Sequence, residues 1–344
     1  MSLLILMAGL FVASALLTGL CRLLAQRFSL LAIPVSRSAH SKPIPVAGGI
    51  VLVFLFLLVV SYYTASGLIP YTEFMALLAT ILIALLGLVD DLKQLHVRWR
   101  LPLQFVAALW VVLWLPAVPA IDLGLFEIGN LWILDILAVL ALVWLLNLFN
   151  FMDGIDGIAV SELAFVSVLS LFIVMSSEDD VMALLSATLF ASGAGFLLWN
   201  WPPAKIFMGD VGSGFIGFSL GVMALFSMQH GSMTVWTWVL MLGIFIVDAT
   251  FTLLRRYRRN ERWYEGHASH AYQNAARRYK SHGKVTITVI LINCVWLAPL
   301  AWLSVKRPDF GVYLAILGIA PLIALAIKLQ AGNSVDFDSS TEEL

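Results

Sequence analysis

Residues 131–158 read LWILDILAVLALVWLLNLFNFMDGIDGI. From Leu131 to Leu148 the stretch is apolar apart from Asp135 and Asn147, without the strict alternation of a membrane β-strand. A run of that length reads as a helix crossing a bilayer, because a helix satisfies its own backbone hydrogen bonds where no water can. The end of the stretch is different. Asn147, Asn150, Asp153 and Asp156 recur every three residues among Leu, Phe, Met and Gly, so they share one face if the helix continues. No lysine or arginine in the segment pairs these acids, which points to a cation or a substrate as their partner.

Working outward, the same alternation of apolar run and polar loop fills the chain. Of 344 residues 61% are hydrophobic and 12% charged, about half the ~25% charge of soluble domains, and more apolar side chain than a compact soluble core absorbs. Apolar runs lie at Leu3–Leu24, Ala47–Tyr63, Phe74–Val89, Leu101–Val118, Leu131–Leu148, Ile158–Met175, Met182–Trp199, Ser213–Met228, Val235–Leu254, Val285–Leu303 and Phe310–Ala326. The expected fold is an all-α polytopic membrane protein of about eleven transmembrane helices. Residues 1–330 form a single transmembrane catalytic domain, and 331–344 an acidic, disordered cytoplasmic tail. Cys21 and Cys294 both sit in apolar runs, which argues against a disulfide framework and a zinc site.

Charge sorting gives the orientation. Arg22 and Arg27 follow the first run and no basic residue precedes it, so it reads as an uncleaved helix that starts outside. On that assignment 18 of the 20 Lys and Arg residues fall in cytoplasmic loops, and only Lys306 and Arg307 outside. The amino terminus is expected outside and the carboxyl terminus in the cytoplasm.

Chemistry-bearing residues concentrate in the internal loops. His40 and Lys42 precede a proline-stiffened turn and Gly48-Gly49. Asp90 and Asp91 stand at the inner end of an apolar helix, a costly place for two carboxylates. After the 147–158 segment comes WNWPPAKIFMGDVGSGF, residues 199–215, with Asn200 and Asp210 as candidate ligands. Its glycines at 209, 212 and 214 are expected to offer backbone amides to phosphate. The last loop is strongly basic and carries His267 and His270; Asp248, just before it, is read as an anchor for an arginine or as structural. Acids and amides without opposing bases suit a hard divalent cation, Mg²⁺, held by few carboxylates plus substrate phosphates. The basic residues beside them suit a polyanionic substrate. Together they imply phosphoryl transfer to a lipid phosphate at the cytoplasmic face.

The ordered set HSKPIPVAGG, GLVDD, NLFNFMDGIDG, FMGDVGSG and HASH, between Ser36 and Gln273, resembles the polyprenyl-phosphate N-acetylhexosamine-1-phosphate transferases, and most closely their O-antigen-initiating branch. The resemblance implies transfer from UDP-N-acetylhexosamine to undecaprenyl phosphate, with release of UMP, in the bacterial inner membrane. It implies Asp210 as the Mg²⁺ ligand (Mn²⁺ as a substitute) and Asp90 and Asp91 as the essential acid pair. His267 and His270 would meet the diphosphate, and with the acid pair make up the catalytic set. Substrate binding falls to His40, Lys42, Asn147, Asn150, Asp153, Asp156, Asn200 and Phe207, the last stacking on uracil. Membrane lipid and a homodimer complete the expected partners, and nucleic acid is not among them. Val46 departs from the family, standing where many relatives carry a basic residue; the histidine motif here is HxxH.

A secondary transporter is the rival class. Transporters hold their coupling acids near the midplane within repeated halves. Here the acids cluster at helix ends and no internal repeat is visible.

Overall fold

The computed structural model describes residues 2–34, 42–261 and 267–333. The first half contains α1 (Leu3–Arg27), a two-stranded hairpin of β1 (Leu31–Ala32) and β2 (Ile44–Pro45), α2 (Gly49–Ala65), α3 (Tyr71–Lys93), α4 (Val97–Trp114), a second short hairpin of β3 (Ile121–Asp122) and β4 (Glu127–Ile128), and α5 (Leu131–Met152). The second half contains α6 (Ile158–Val174), α7 (Asp180–Asn200), α8 (Gly209–Gln229), α9 (Val235–Met241), α10 (Gly243–Arg258), α11 (Ala271–Tyr279) and α12 (His282–Ile292). A π-helical turn (Asn293–Leu297) joins α12 to α13 (Ala298–Lys306), and α14 (Gly311–Lys328) follows.

The protein is an all-α polytopic membrane protein. Eight helical stretches among the described residues are long and apolar enough to cross a bilayer: α1, α3, α4, α5, α7, α8, the α12–α13 composite and the stretch ending in α14. The apolar helices α2 and α6 have 17 residues each. The ninth run, expected as one helix, is broken. Leu242, with φ −99° and ψ 12°, leaves the helical region, and α9 and α10 meet at a bend of 80°.

The central helix is α8, packed against α2, α3, α5 and α7. Its most apolar window is 89% buried, against 22% for α1 and α4. Those outer helices present Leu4, Leu16, Leu113 and other apolar side chains outward, as lipid-facing helices do. Because Asp210 stands in the first turn of α8 and Asp91 in the last turn of α3, the centre of the bundle delivers two acidic motifs to one end.

The opposite ends of α3 and α8 are clamped by charge. His230, just past α8, places Nε2 2.9 Å from Glu73 and Nδ1 3.0 Å from Asp179, which also accepts the Ser232 hydroxyl. The two carboxylates push the His230 imidazole up to about 10; burial works to raise Asp179, but its bonds to His230, Ser232 and the Met182 N–H outweigh it and hold the carboxyl below the usual range.

At the carboxyl end the packed chain runs to Asn333, past the expected boundary at 330. The Gly332 N–H donates to the Ser269 carbonyl, the Arg255 guanidinium to that of Ala331, and the Asn274 amide reaches the carbonyls of Leu329 and Gln330. These bonds satisfy carbonyls left open at the end of α14 and fasten it beside the histidine motif. The remainder of the expected tail, 334–344, lies outside the described residues.

Candidate active site

The acid pair divides its labour. The Asp91 carboxylate accepts the N–H groups of Asp210 (2.8 Å) and Val211 (3.2 Å), so the end of α3 caps the start of α8. Two glycines permit this approach. Gly209 has φ +75°, and a Cβ there would lie 2.4 Å from Asp91 Oδ2; a Cβ on Gly87 would lie 2.4 Å from the Asp210 carbonyl oxygen. Asp91 thus occupies the two N–H groups that follow Gly209, the first of the glycines expected to cradle phosphate. Asp90 accepts the Leu95 N–H and pairs with Arg100, whose guanidinium also stands 3.5 Å from Asp210. The acids are therefore not all unpaired, and Arg100, a basic residue of the loop side, belongs to the site.

The third motif does not form the expected four-residue stripe. α5 ends at Met152, and the chain turns through Gly157 at φ +75° before α6 begins. Asn147 donates to Gln104 and to the Val143 carbonyl, along the α4–α5 contact. Asn150 reaches the Ser213 hydroxyl at 3.5 Å. Asp156 accepts the Ala204 N–H and faces His282 at 3.3 Å. Asp153 is different. Among the described residues none donates a hydrogen bond to its carboxylate or pairs with its charge. Burial, then the neighbouring charges of Asp210, Asp91 and Asp156, push it well above the ordinary carboxylate range.

Loop by loop, backbone bonds tie the remaining motifs to this centre. The Phe207 N–H donates to the Pro45 carbonyl, and the Gly48 and Gly49 N–H groups donate to the carbonyls of Phe207 and Met208. Asn200 is buried and spends its amide on backbone, accepting from Gly157 and donating to Ile206. Lys42 is exposed, and His40 lies outside the described residues.

The histidines sit across from the third motif. His267 and His270 stack with centroids 4.9 Å apart, and His270 also stacks on Phe151 at 6.3 Å. Among the described residues Asp248 pairs with no arginine. It accepts the N–H groups of Ala271 and Tyr272, capping α11, and faces His270 Nδ1 at 3.3 Å. Burial, then the nearby charges of His270 and Arg256, lower His267 to about 3, so its imidazole is neutral near pH 7. Tyr272 donates to the Phe151 carbonyl, and burial raises its phenol well above the ordinary value, keeping that proton in place. Beside Asp156 opens a cavity of about 650 Å³ walled by Pro202, Pro203, Arg277, Lys280 and His282.

Asp90, Asp91, Asp153 and Asp210 thus come from three separate segments to one place, where Arg100 is the one guanidinium in contact among the described residues. Among the described residues no three such side chains close into a ready chelate. Mg²⁺ takes one or two protein carboxylates and keeps water and phosphate oxygens for the rest. The unpartnered Asp153 beside Asp210 is the feature of this site that fits a divalent cation.

A helical membrane body with an acid-and-arginine centre at one end defines a class, and residues 73–228 match the family model described as Glycosyl transferase family 4. The chain is 30% identical over 297 residues to a probable undecaprenyl-phosphate N-acetylglucosaminyl 1-phosphate transferase of Bacillus subtilis, covering 82% of this chain and 79% of that protein. It is 29% identical to a decaprenyl-phosphate N-acetylglucosaminephosphotransferase of Mycolicibacterium smegmatis, over 91% of this chain and 84% of the other. With an undecaprenyl-phosphate alpha-N-acetylglucosaminyl 1-phosphate transferase of Thermotoga maritima it shares 28% identity, over 94% and 97% of the two chains. The chain belongs to the polyprenyl-phosphate N-acetylhexosamine-1-phosphate transferase family.

Proposed function

We propose that this protein transfers N-acetylhexosamine 1-phosphate from a UDP-sugar to undecaprenyl phosphate, releasing UMP and starting a lipid-linked glycan such as O-antigen or a cell-wall polymer. The observation that carries the reading is the meeting of Asp90, Asp91 and Asp210 beside Arg100, with Asp153 close to Asp91 and Asp210. In this reading the apolar runs cross the bacterial inner membrane eleven times, with the amino terminus outside and the site on the cytoplasmic face. The sorting of lysine and arginine supports that orientation.

A lipid phosphomonoester, with a second pKa of ~6, is largely dianionic at neutral pH and needs no strong base. Its oxygen forms a bond to the sugar-bearing phosphorus of the donor. The bond from that phosphorus to the bridging oxygen breaks, and the electron pair leaves on UMP. The work left to the protein is positioning and charge. Asp210, with Asp153 beside it, would hold Mg²⁺, which when bound offsets the charge of the diphosphate. Arg100 orients Asp210 and adds positive charge. Phe207 stacks on the uracil, and Arg277 and Lys280 attract the anionic donor along the cavity wall. Direct attack is favoured over a phospho-enzyme route because both oxygens of Asp91 already accept backbone N–H groups and Asp90 is held by Arg100.

The test is to incubate the purified protein with Mg²⁺, undecaprenyl phosphate and a panel of UDP-N-acetylhexosamines, scoring UMP sugar by sugar. UMP release that requires the lipid supports the reading. Release without lipid would favour the two-step route, and the lack of UMP from every donor would end the proposal.

A further inference from the structure

α12 is fastened to the start of α6 at three levels. At its head, His282 Nδ1 lies 3.3 Å from Asp156 Oδ1 and 3.4 Å from the Asp156 backbone nitrogen. Protonated at Nδ1, the imidazole donates to the carboxylate; neutral there, it accepts the N–H. Either form holds the same residue. One turn on, the Thr286 hydroxyl donates to the Asp156 carbonyl at 3.1 Å. Deeper still, Asn293 donates to Glu162 at 2.6 Å. Positions 282, 286 and 293 fall within about 40° of one helix face at 100° per residue.

The deepest rung is the unusual one. Glu162 and Asn293 are fully buried in the apolar body, and Glu162 has no contact with the acidic centre among the described residues. Polar side chains at that depth are expensive and fix which helix faces meet. Asn293 is also the first residue of the π-helical turn, so α12 changes its winding where this bond is made. The two walls of the site hang from these helices: the turn 153–157 leads into α6, and the histidine motif with α11 leads into α12.

We propose that His282 is a positioning residue for the transfer reaction, and that the seam it heads, completed by Thr286 and by Asn293 on Glu162, sets the register between the aspartate-bearing and histidine-bearing walls. The proposal rests on the transferase reading given above. His282 acts through Asp156, whose turn carries Asp153 among Asp91 and Asp210. A displacement of about 1 Å in such a turn is enough to cost on the order of a hundredfold in rate.

The experiment compares His282→Ala with His282→Asn, whose side-chain amide sits where Nδ1 sits. Two readouts are taken: kcat and KM for UMP release, and hydrogen exchange at the amides of residues 154–158. We expect His282→Ala to lower kcat about tenfold to a hundredfold, to speed exchange in the turn, and to leave the melting temperature within a few degrees of the parent. His282→Asn should recover most of both. The double variant Glu162→Leu/Asn293→Leu, apolar on both sides, should fold and lower kcat. Combined with His282→Ala it should cost less than the product of the separate losses, because one seam is being cut twice. Unchanged kcat, KM and exchange in His282→Ala would overturn the proposal, as would an Asn variant no better than Ala. If the unmodified protein releases no UMP from any donor, the transferase reading fails, while the exchange data still decide the seam.

Discussion

The Asp210 N–H donates to Asp91 Oδ1 across 2.8 Å, joining the last turn of one membrane helix to the first turn of the central one. Asp91 thus acts on the site by setting where Asp210 begins. Replacing Asp91 with Asn keeps one acceptor and removes the charge from the α8 terminus. The expected stability cost is about 1 kcal/mol or less, as for an exchanged helix cap. Turnover should fall far more than stability does. Steady-state UMP release beside thermal melting in detergent checks this; proportional losses of the two would reduce Asp91 to a structural cap.

Arg100 contacts both Asp90 and Asp210 and is the one guanidinium in contact with the acidic centre among the described residues. Arg100→Gln should lower kcat steeply and change how much Mg²⁺ half-activates the enzyme, since Asp210 loses its neighbouring positive charge. Arg100→Lys should recover only part, because an ammonium cannot span two carboxylates as a planar fork does. A Gln variant with parental Mg²⁺ dependence would exclude Arg100 from the site.

Much of this arrangement was legible in the sequence, and the misses share a cause. Apolar runs and loop charges set the membrane class, and the motifs at the ends of apolar helices pointed to Asp90, Asp91, Asp153 and Asp210, because carboxylates are costly there. What was missed depends on contacts distant in sequence. Arg100 looked like an orienting charge, and His282 looked like nothing at all, since its partner Asp156 is 126 residues away. The 3-residue spacing of Asn147 to Asp156 suggested a stripe, but α5 ends at Met152 and the chain turns before α6, with Gly157 at φ +75° as the cap of that next helix. Asp248 resembled an arginine anchor because the cap it makes for α11 appears only once that helix folds back.

Phe207 lies half-buried, with its backbone held by Pro45 and Gly48. Phe207→Ala should raise KM for the UDP-sugar by an amount equivalent to roughly 1–3 kcal/mol, the range found for base–aromatic stacking. Phe207→Trp should retain much of the affinity. A fall in melting temperature with unchanged KM would instead make the ring a packing residue.

The His230 clamp gives a pH dependence with a definite sign. Its folded value, about 10, lies above the ordinary 6.5, so the folded protein holds the proton more tightly. The stabilisation is complete below about 6.5 and fades as pH rises through about 10. The gap in melting temperature between the parent and His230→Gln should be widest near pH 6 and close above pH 10. A constant gap across that range would show that the imidazole contributes shape and not charge.

Asp153 offers the sharpest test of the cation reading. Its carboxylate has no donor or counter-charge among the described residues, and Asp210, Asp91 and Asp156 surround it with like charge. A carboxylate held above its ordinary range destabilises the folded state increasingly as pH rises past about 4, because the unfolded chain releases that proton more readily. Asp153→Asn removes the charge at nearly constant shape. Without divalent cation, the variant should therefore melt higher than the parent at pH 7 to 8, and the difference should shrink toward pH 4. Added Mg²⁺ stabilises whatever binds it in the folded state. It should raise the melting temperature of the parent and raise that of Asp153→Asn much less. UMP release by the variant should nearly vanish. A variant that is stabilised, inactive and indifferent to Mg²⁺ is what a cation site predicts. One that keeps the parental Mg²⁺ shift would remove Asp153 from it.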